Sequence, residues 1–530
     1  MSEKKKILQD IDRLLSEANS DPQLYHDNLG LLNDFVIETA NNTAIRDKFS
    51  RDKETWQLIK TILVNSHVED ISVWSAEVIF LYKRLLRGVF ILARNLAVSG
   101  SEIAQELLLQ NIAYKIFNNS LKVGKLDDGM QLALYSAILS FLHNMSSKSV
   151  VFDRSSSKEL FEFLHFPVKL NYEYTKDILL PYLLYFKDLI QHDDFLYYFL
   201  RYDKVDSILC GLILDKIMRD ESQIFEIVSG TRIVSPDVNL SDIDMILLRT
   251  FALISTHESF IPYLEDKENN SFNIFIDLLK LMQLVVTNID SWDKFQLTSI
   301  MTWTYKIFEK NADQIKNYFK NKLENEEIAK KLHAKCVITL DIMAKLCQFN
   351  HVQKFIISYK GLDQLISLLN IFQDNLIRVN FTKTSQASDI TGVKATNKLG
   401  EKLAKDSLIE ERIDLINMKI KETNFPECKL LIIEIIAMLT HENREIQNQV
   451  RELGGLGVIL SNCVIDDNDP FIKERSIMCI KFLLKDNKEN QNFVANLESK
   501  RVANDETLQE AGYEVDISKD GKLSLKSTNQ

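Results

Sequence analysis

The chain has 530 residues, with 64 Lys and Arg against 75 Asp and Glu, a formal net charge of −11 and a pI near 5.5. Such a balance excludes a general binder of nucleic acid or of anionic membrane surfaces. Only 15 Gly and 7 Pro stand beside 45% hydrophobic residues, which favours long stretches of helix over an all-β fold, and the length exceeds what one compact core can use.

Residues 1–228 read as N-terminal helical repeats, with Leu14-Leu15, Leu31-Leu32 and Phe35-Val36 at helical spacing. Within them Ile91-Leu92-Ala93-Arg94-Asn95-Leu96-Ala97 aligns with Ser140-Phe141-Leu142-His143-Asn144-Met145-Ser146, 49 residues on. Both look like the end of the third helix of an armadillo repeat, where an Asn follows a short apolar run. Asn95 and Asn144 are therefore the candidates for a partner-binding groove, and capping of helix ends is the competing role. The apolar window Val78–Val98 carries Lys83, Arg84, Arg87 and Arg94, so it is not expected to span a membrane.

Residues 229–242, with Gly230, Pro236 and Asn239, read as a loop. Helical patterning resumes over 243–381 as central armadillo-like repeats. Residues 382–405 are polar, rich in Thr, Ser, Lys and Asn, and are expected to be a flexible insertion that buries too little to become ordered.

The pattern is strongest over 409–500. Asn443-Arg444-Glu445-Ile446-Gln447-Asn448-Gln449-Val450 recurs 44 residues later as Asn487-Lys488-Glu489-Asn490-Gln491-Asn492-Phe493-Val494. Gln353 and Gly361 match Gln447 and Gly455 at an offset of 94, close to two repeats. A helical period of roughly 45 residues belongs to armadillo and HEAT arrays, whose units bury their apolar faces by stacking. The fold class expected is all-α: a right-handed α-solenoid of about ten repeats. Gly454 is placed just past the end of a helix near Leu453. Asp469 and Pro470 are read as N-cap and first residue of the next helix. The tail, 501–530, carries a hairpin signal, Tyr513–Ile517 and Leu523–Leu525 around Asp520-Gly521.

Motifs for chemistry are sparse. No phosphate-binding loop and no His-Glu-x-x-His helix occurs. Gly454-Gly455-Leu456-Gly457 reads as a corner between helices, and Asp466-Asp467-Asn468-Asp469 as a polar capping turn, since Pro470 and Phe471 stand where a calcium loop turns on Gly. The six cysteines, at 210, 336, 347, 428, 463 and 479, lack CxxC spacing and read as reduced thiols of a cytosolic protein. Cys347 and His351, four apart, read as a buried thiol beside a turn histidine. No catalytic, cofactor or metal residues are nominated.

Residues 443–494 resemble the C-terminal domain of the ataxin-10 family, and the length and layout are similar to its fungal members. The residues that carry the resemblance are Arg451-Glu452-Leu453-Gly454-Gly455-Leu456, then Asp466 through Glu474 with Asp469, Pro470 and Phe471, then Glu489-Asn490-Gln491. Two departures stand out: Asp469 where the family commonly has Asn, and Arg475-Ser476 where it commonly has Trp-Ala. The resemblance implies an armadillo-like solenoid in the cytoplasm, without catalytic activity or cofactor, that binds other proteins and acts in cell division, specifically cytokinesis. One alternative is a transport receptor like importin-α, but the groove positions that would carry its Trp ladder are Ile91 and Ser140. A second is metal handling tied to copper homeostasis; none of the 11 Met residues forms a Met-x-Met or Met-x-x-Met cluster.

Overall fold

The computed structural model describes residues 2–17, 20–66, 74–122, 129–146, 152–170, 172–214, 240–321, 325–381, 393–398, 400–403, 407–503, 513–517 and 523–527. Among the described residues the fold is all-α apart from three short hairpins, and the chain forms two compact units, 1–288 and 289–530. Their boundary falls inside the stretch 243–381 that patterning alone treats as continuous. The expected loop 229–242 lies almost wholly outside the described residues.

In the first unit a row of long helices forms a ladder. Pro22–Asn41 packs on Ala76–Glu106, which packs on Gly129–Ser146, followed by Tyr172–Ile190, Asp242–Ser255 and Phe272–Asn288. Shorter helices, such as Leu109–Ser120 and Ser157–Leu164, pass between the rungs. The starts are chemically marked. Asn42, Asp52 and Ser75 each accept a backbone N–H of the first turn, and Ser241 with Asp244 makes a reciprocal capping box. The rung Ala76–Glu106 buries Leu85, Leu86, Val89, Phe90, Leu92, Ala93, Leu96 and Ala97 completely. An α-helix that buries so wide a face is held by its neighbours rather than by its own propensity.

The second unit repeats the plan. Lys294–Lys320, Glu326–Leu346, Cys428–Thr440 and Ile472–Leu484 pack in succession. Here the sequence repeat acquires a physical meaning. Gln353 donates through Nε2 to the Cys347 carbonyl at 2.9 Å, Gln447 to Thr440 at 3.2 Å and Gln491 to Leu484 at 2.8 Å. In each case a Gln near the start of one helix satisfies a carbonyl orphaned at the end of the previous one. The residues four before Gln447 and Gln491 also match. Asn443 accepts the Ile446 N–H and Asn487 the Asn490 N–H. Gly454 adopts φ +76 between two helices, the left-handed corner expected of it.

Two expectations need correction. The insertion 382–405 is not loose throughout: residues 382–392 lie outside the described residues, but Val393–Thr396 pairs antiparallel with Arg378–Phe381. Ala395 is buried with Ile377, Val379, Ile409 and Ile413. Most of its apolar partners come from 377–381 and 408–420, on either side of the segment, so the local composition of 382–405 carries little sign of them. The second correction concerns Asp469. The next helix starts at Ile472, with Phe471 at its N-cap in the left-handed region, φ 68. Asp469 instead accepts the Leu430 N–H at 3.1 Å, capping a different helix. The C-terminal hairpin is present, Tyr513–Ile517 against Leu523–Ser527.

Gly100 interrupts the helix Ala76–Glu106 with φ −133 and ψ 29. A Cβ there would strike the Ser50 carbonyl, which also receives the Trp56 indole N–H at 2.7 Å. Gly100→Ala should therefore destabilise the first unit by about 1–3 kcal/mol, the range of overpacking in a tight core, measured by urea denaturation. A neutral result would mean that this helix crossing can open.

Candidate interaction surface

The family-like segment of the second unit is built around a buried ion cluster rather than an open site. Lys429, in the first turn of Cys428–Thr440, is 2% exposed, and its Nζ lies 2.8 Å from Asp466 Oδ2 and 3.3 Å from Asp469 Oδ2. Asp466 Oδ1 also accepts the N–H of Val379 at 3.0 Å and of Asn468 at 3.1 Å. Asp467 accepts the Phe381 N–H at 2.6 Å and donates its own N–H to the Val379 carbonyl at 2.8 Å. Asn424 clamps Ile377 from both sides and donates to Asn468. The 466–469 turn thus docks the strand Arg378–Phe381 onto the stack.

Burial pulls the Lys429 ammonium down, but Asp469 and Asp466 outweigh it and hold the group above its ordinary value. Burial pushes the Asp469 carboxyl up, against the pull of Lys429. Two carboxylates face one lysine, and the N-terminus of Cys428–Thr440 supplies further positive potential. All four carboxylate oxygens of Asp466 and Asp469 are engaged within the protein, so the buried pair holds the fold together.

The other signature residues are placed in the same way. Asn490 is fully buried, donating to the Leu483 and Gln447 carbonyls and accepting from Arg451 Nη1 at 2.6 Å. Gly455 sits where a Cβ would press on Val450 and Ile366. Phe471 and Glu474 face solvent, Phe471 with 72% exposure. At the Trp-Ala position, Arg475 pairs with the buried Glu434 at 2.9 Å. Ser476 is buried with no partner for its hydroxyl.

Of the cysteine–histidine candidates, Cys347 is a buried thiol pushed up to about 12 by desolvation, and His351 bonds to Thr298 instead. Ser146, His143 and Asp188 come together in the first unit. Asp188 Oδ2 receives both the Ser146 hydroxyl at 2.5 Å and His143 Nδ1 at 2.6 Å, so the carboxylate lies between serine and histidine and joins two rungs. A nucleophile–base pair needs the serine on the histidine. Among the described residues no three His, Cys, Asp or Glu side chains could share a metal ion, and no helix is long and apolar enough to cross a membrane.

The open surface lies on the ladder of the first unit. Arg84, Arg87, Ile91 and Arg94 fall at i, i+3, i+7 and i+10 on the exposed face of Ala76–Glu106. Two concavities flank that face. One, of about 360 Å³, lies toward Pro22–Asn41 and includes Asn33. The other, of about 480 Å³, lies toward Gly129–Ser146 and includes Ser136 and Ser140. Arg87 and Ile91 line both, so the two make one groove crossing three rungs. Burial, then repulsion from Arg87, holds Arg94 below its ordinary value.

Asn95 and Asn144 sit beside this groove with their amides engaged by the preceding rung. Asn95, 6% exposed, donates to the Val36 carbonyl and to Thr39 Oγ1, both at 3.2 Å, and accepts from Arg94 Nη2 at 2.9 Å. Asn144 donates to the Arg94 carbonyl at 3.1 Å. Both tie rungs together, and Asn95 also orients Arg94. The arginines entered the sequence reading only as charges that break an apolar window. Their common helical face, with Ile91 among them, was the available signal. Lys429 had no local signal beyond a lone lysine in an apolar run.

Comparison with known proteins comes to the same family. Residues 428–526 match the family model described as the spinocerebellar ataxia type 10 protein domain. The chain is 38% identical over 465 residues to the ataxin-10 homolog of Saccharomyces cerevisiae, covering 85% of this chain and 82% of that one. It is 31% identical over 521 residues to the homolog of Kluyveromyces lactis, covering 97% and 95%. With the homolog of Debaryomyces hansenii it shares 30% identity over 526 residues, covering 97% and 94%.

Lys429→Met should cost the second unit about 3–5 kcal/mol at pH 7, since it strands two buried carboxylates. The loss should shrink on acidification. A carboxyl with a raised folded pKa binds its proton more tightly folded than unfolded, so Asp469 gains a proton at less cost to the fold. Denaturant titrations at pH 7 and pH 5 measure both. Ser476→Ala should stabilise the same unit by about 1 kcal/mol by removing an unsatisfied buried hydroxyl; no gain in the same titration would place a partner on that oxygen.

Proposed function

The chain belongs to the ataxin-10 family, and from that premise we propose that it is a non-catalytic protein-interaction scaffold of the cytoplasm that acts in cytokinesis. The observation that carries the scaffold reading is the groove of the first unit. It crosses three successive rungs, presents Asn33, Ser136 and Ser140 beside the apolar Ile91, and is long enough for an extended segment. Clefts of this mixed character, on elements fixed by their neighbours, suit recognition of a partner chain. The division role and the compartment rest on the family resemblance.

The importin-α-like alternative meets a chemical objection. Ile91 and Ser140 line the groove, and neither offers an aromatic face to a lysine stem.

Ser136→Trp fills the groove from a position outside the core. Stability should change by no more than about 0.5 kcal/mol, as for substitutions away from packed features. Co-purified partners should be lost, and cells carrying the variant should accumulate unseparated daughters as cells lacking the protein do. Retention of every partner would sink the groove as the working surface. Normal division in cells lacking the protein would sink the cytokinesis reading.

A further inference from the structure

Although the chain is acidic overall, the groove is basic. Arg84, Arg87 and Arg94 line it, and among the described residues no Asp or Glu does. Among the described residues neither Arg84 nor Arg87 has an ion-pair or hydrogen-bond partner, whereas Lys4, Lys267 and Lys429 elsewhere each have carboxylates. Among the described residues the Arg94 guanidinium hydrogen-bonds only to the neutral amide of Asn95. Three guanidinium groups held on one helical face, with no counter-charge among the described residues, are a ready recognition surface for carboxylates, which they can grip with paired hydrogen bonds.

Resting on the scaffold reading above, we infer that the groove binds an acidic peptide segment of a partner protein, in extended conformation, with carboxylates over Arg84, Arg87 and Arg94. Neighbouring helices lie roughly 8–10 Å apart, so crossing three rungs takes roughly 16–20 Å. Arg84 and Arg94 stand roughly 15 Å apart along the helix axis, so a chain that passes both runs diagonally over roughly 22–25 Å, about seven residues of extended chain at roughly 3.3 Å each. Ile91, between the arginines, gives an apolar seat for an alternate side chain, and Asn33, Ser136 and Ser140 offer hydrogen bonds to the peptide backbone. Single-stranded nucleic acid also carries negative charge, but its binding sites add aromatic platforms for the bases, and among the described residues no Phe, Tyr or Trp lines the groove.

The test uses the full chain and fluorescein-labelled peptides of twelve alternating residues: Glu with Val, Gln with Val, and Lys with Val. Fluorescence anisotropy should report saturable binding of the Glu peptide, at least tenfold tighter than the Gln peptide. That binding should weaken at least tenfold on raising salt from 50 to 300 mM. Arg84→Glu with Arg87→Glu should abolish it and admit the Lys peptide. Arg84→Gln with Arg87→Gln, which adds no charge to the fold, should weaken it at least tenfold and serves if the reversed variant does not fold. No binding of the Glu peptide, equal binding of the Gln peptide, or tighter binding of a twelve-nucleotide oligouridine would overturn the acidic-peptide inference. The two readings separate on the co-purified partners. If Ser136→Trp loses them while the Gln variant keeps them, the groove binds partners without reading charge. If Ser136→Trp loses none, the scaffold reading itself fails.

Discussion

A stack of short helices must bury its corners. At each turn one helix ends with unpaired carbonyls and the next begins with unpaired N–H groups, and the stack brings both sets out of water. The Asn and Gln residues of the 44-residue repeat solve this at successive corners. Asn443 and Asn487 receive the first N–H groups of their helices, while Gln447 and Gln491 reach back to the carbonyls just vacated. The apolar faces can stack closely only because the corners need no water. Asn490 extends the same device between neighbours, joining Gln447 of one repeat to Leu483 of the next.

That constraint also explains what could be read in advance. Corner residues and apolar stripes are set by local geometry, so helices, repeat spacing and the Gly454 turn were legible in the chain. So was the pair Tyr513–Ile517 and Leu523–Ser527, whose alternation and turn are local. Asp469 looked like an N-cap for the same reason, being an Asp before Pro470 and a helix. Its actual partners, Lys429 and Leu430, lie about forty residues earlier and outcompete the nearby backbone. The packing of Val393–Thr396 was hidden likewise, because its apolar partners sit on either side of the segment in sequence.

The candidate surface was legible in part. The Asn95 and Asn144 alignment points to the two rungs that flank the candidate groove, and Ile91 and Ser140 line it. It could not foresee that the two amides join neighbouring rungs, since that depends on how closely the helices approach. The arginines were in plain view at helical spacing. Their lack of counter-ions among the described residues is a property of the assembled ladder and of no single helix.

Holding those cations close together has a thermodynamic cost of its own. Arg94 already feels Arg87 as a repulsive neighbour in the free protein. Added salt screens like charges from each other as well as from any opposite charge, with a Debye length of about 10 Å at 0.1 M. Ionic strength therefore acts on this ladder in two opposed ways: it relieves the empty groove while weakening its hold on an anionic ligand. Evolution of tighter electrostatic capture, by adding arginines to these rungs, would run directly against the stability of the unliganded state.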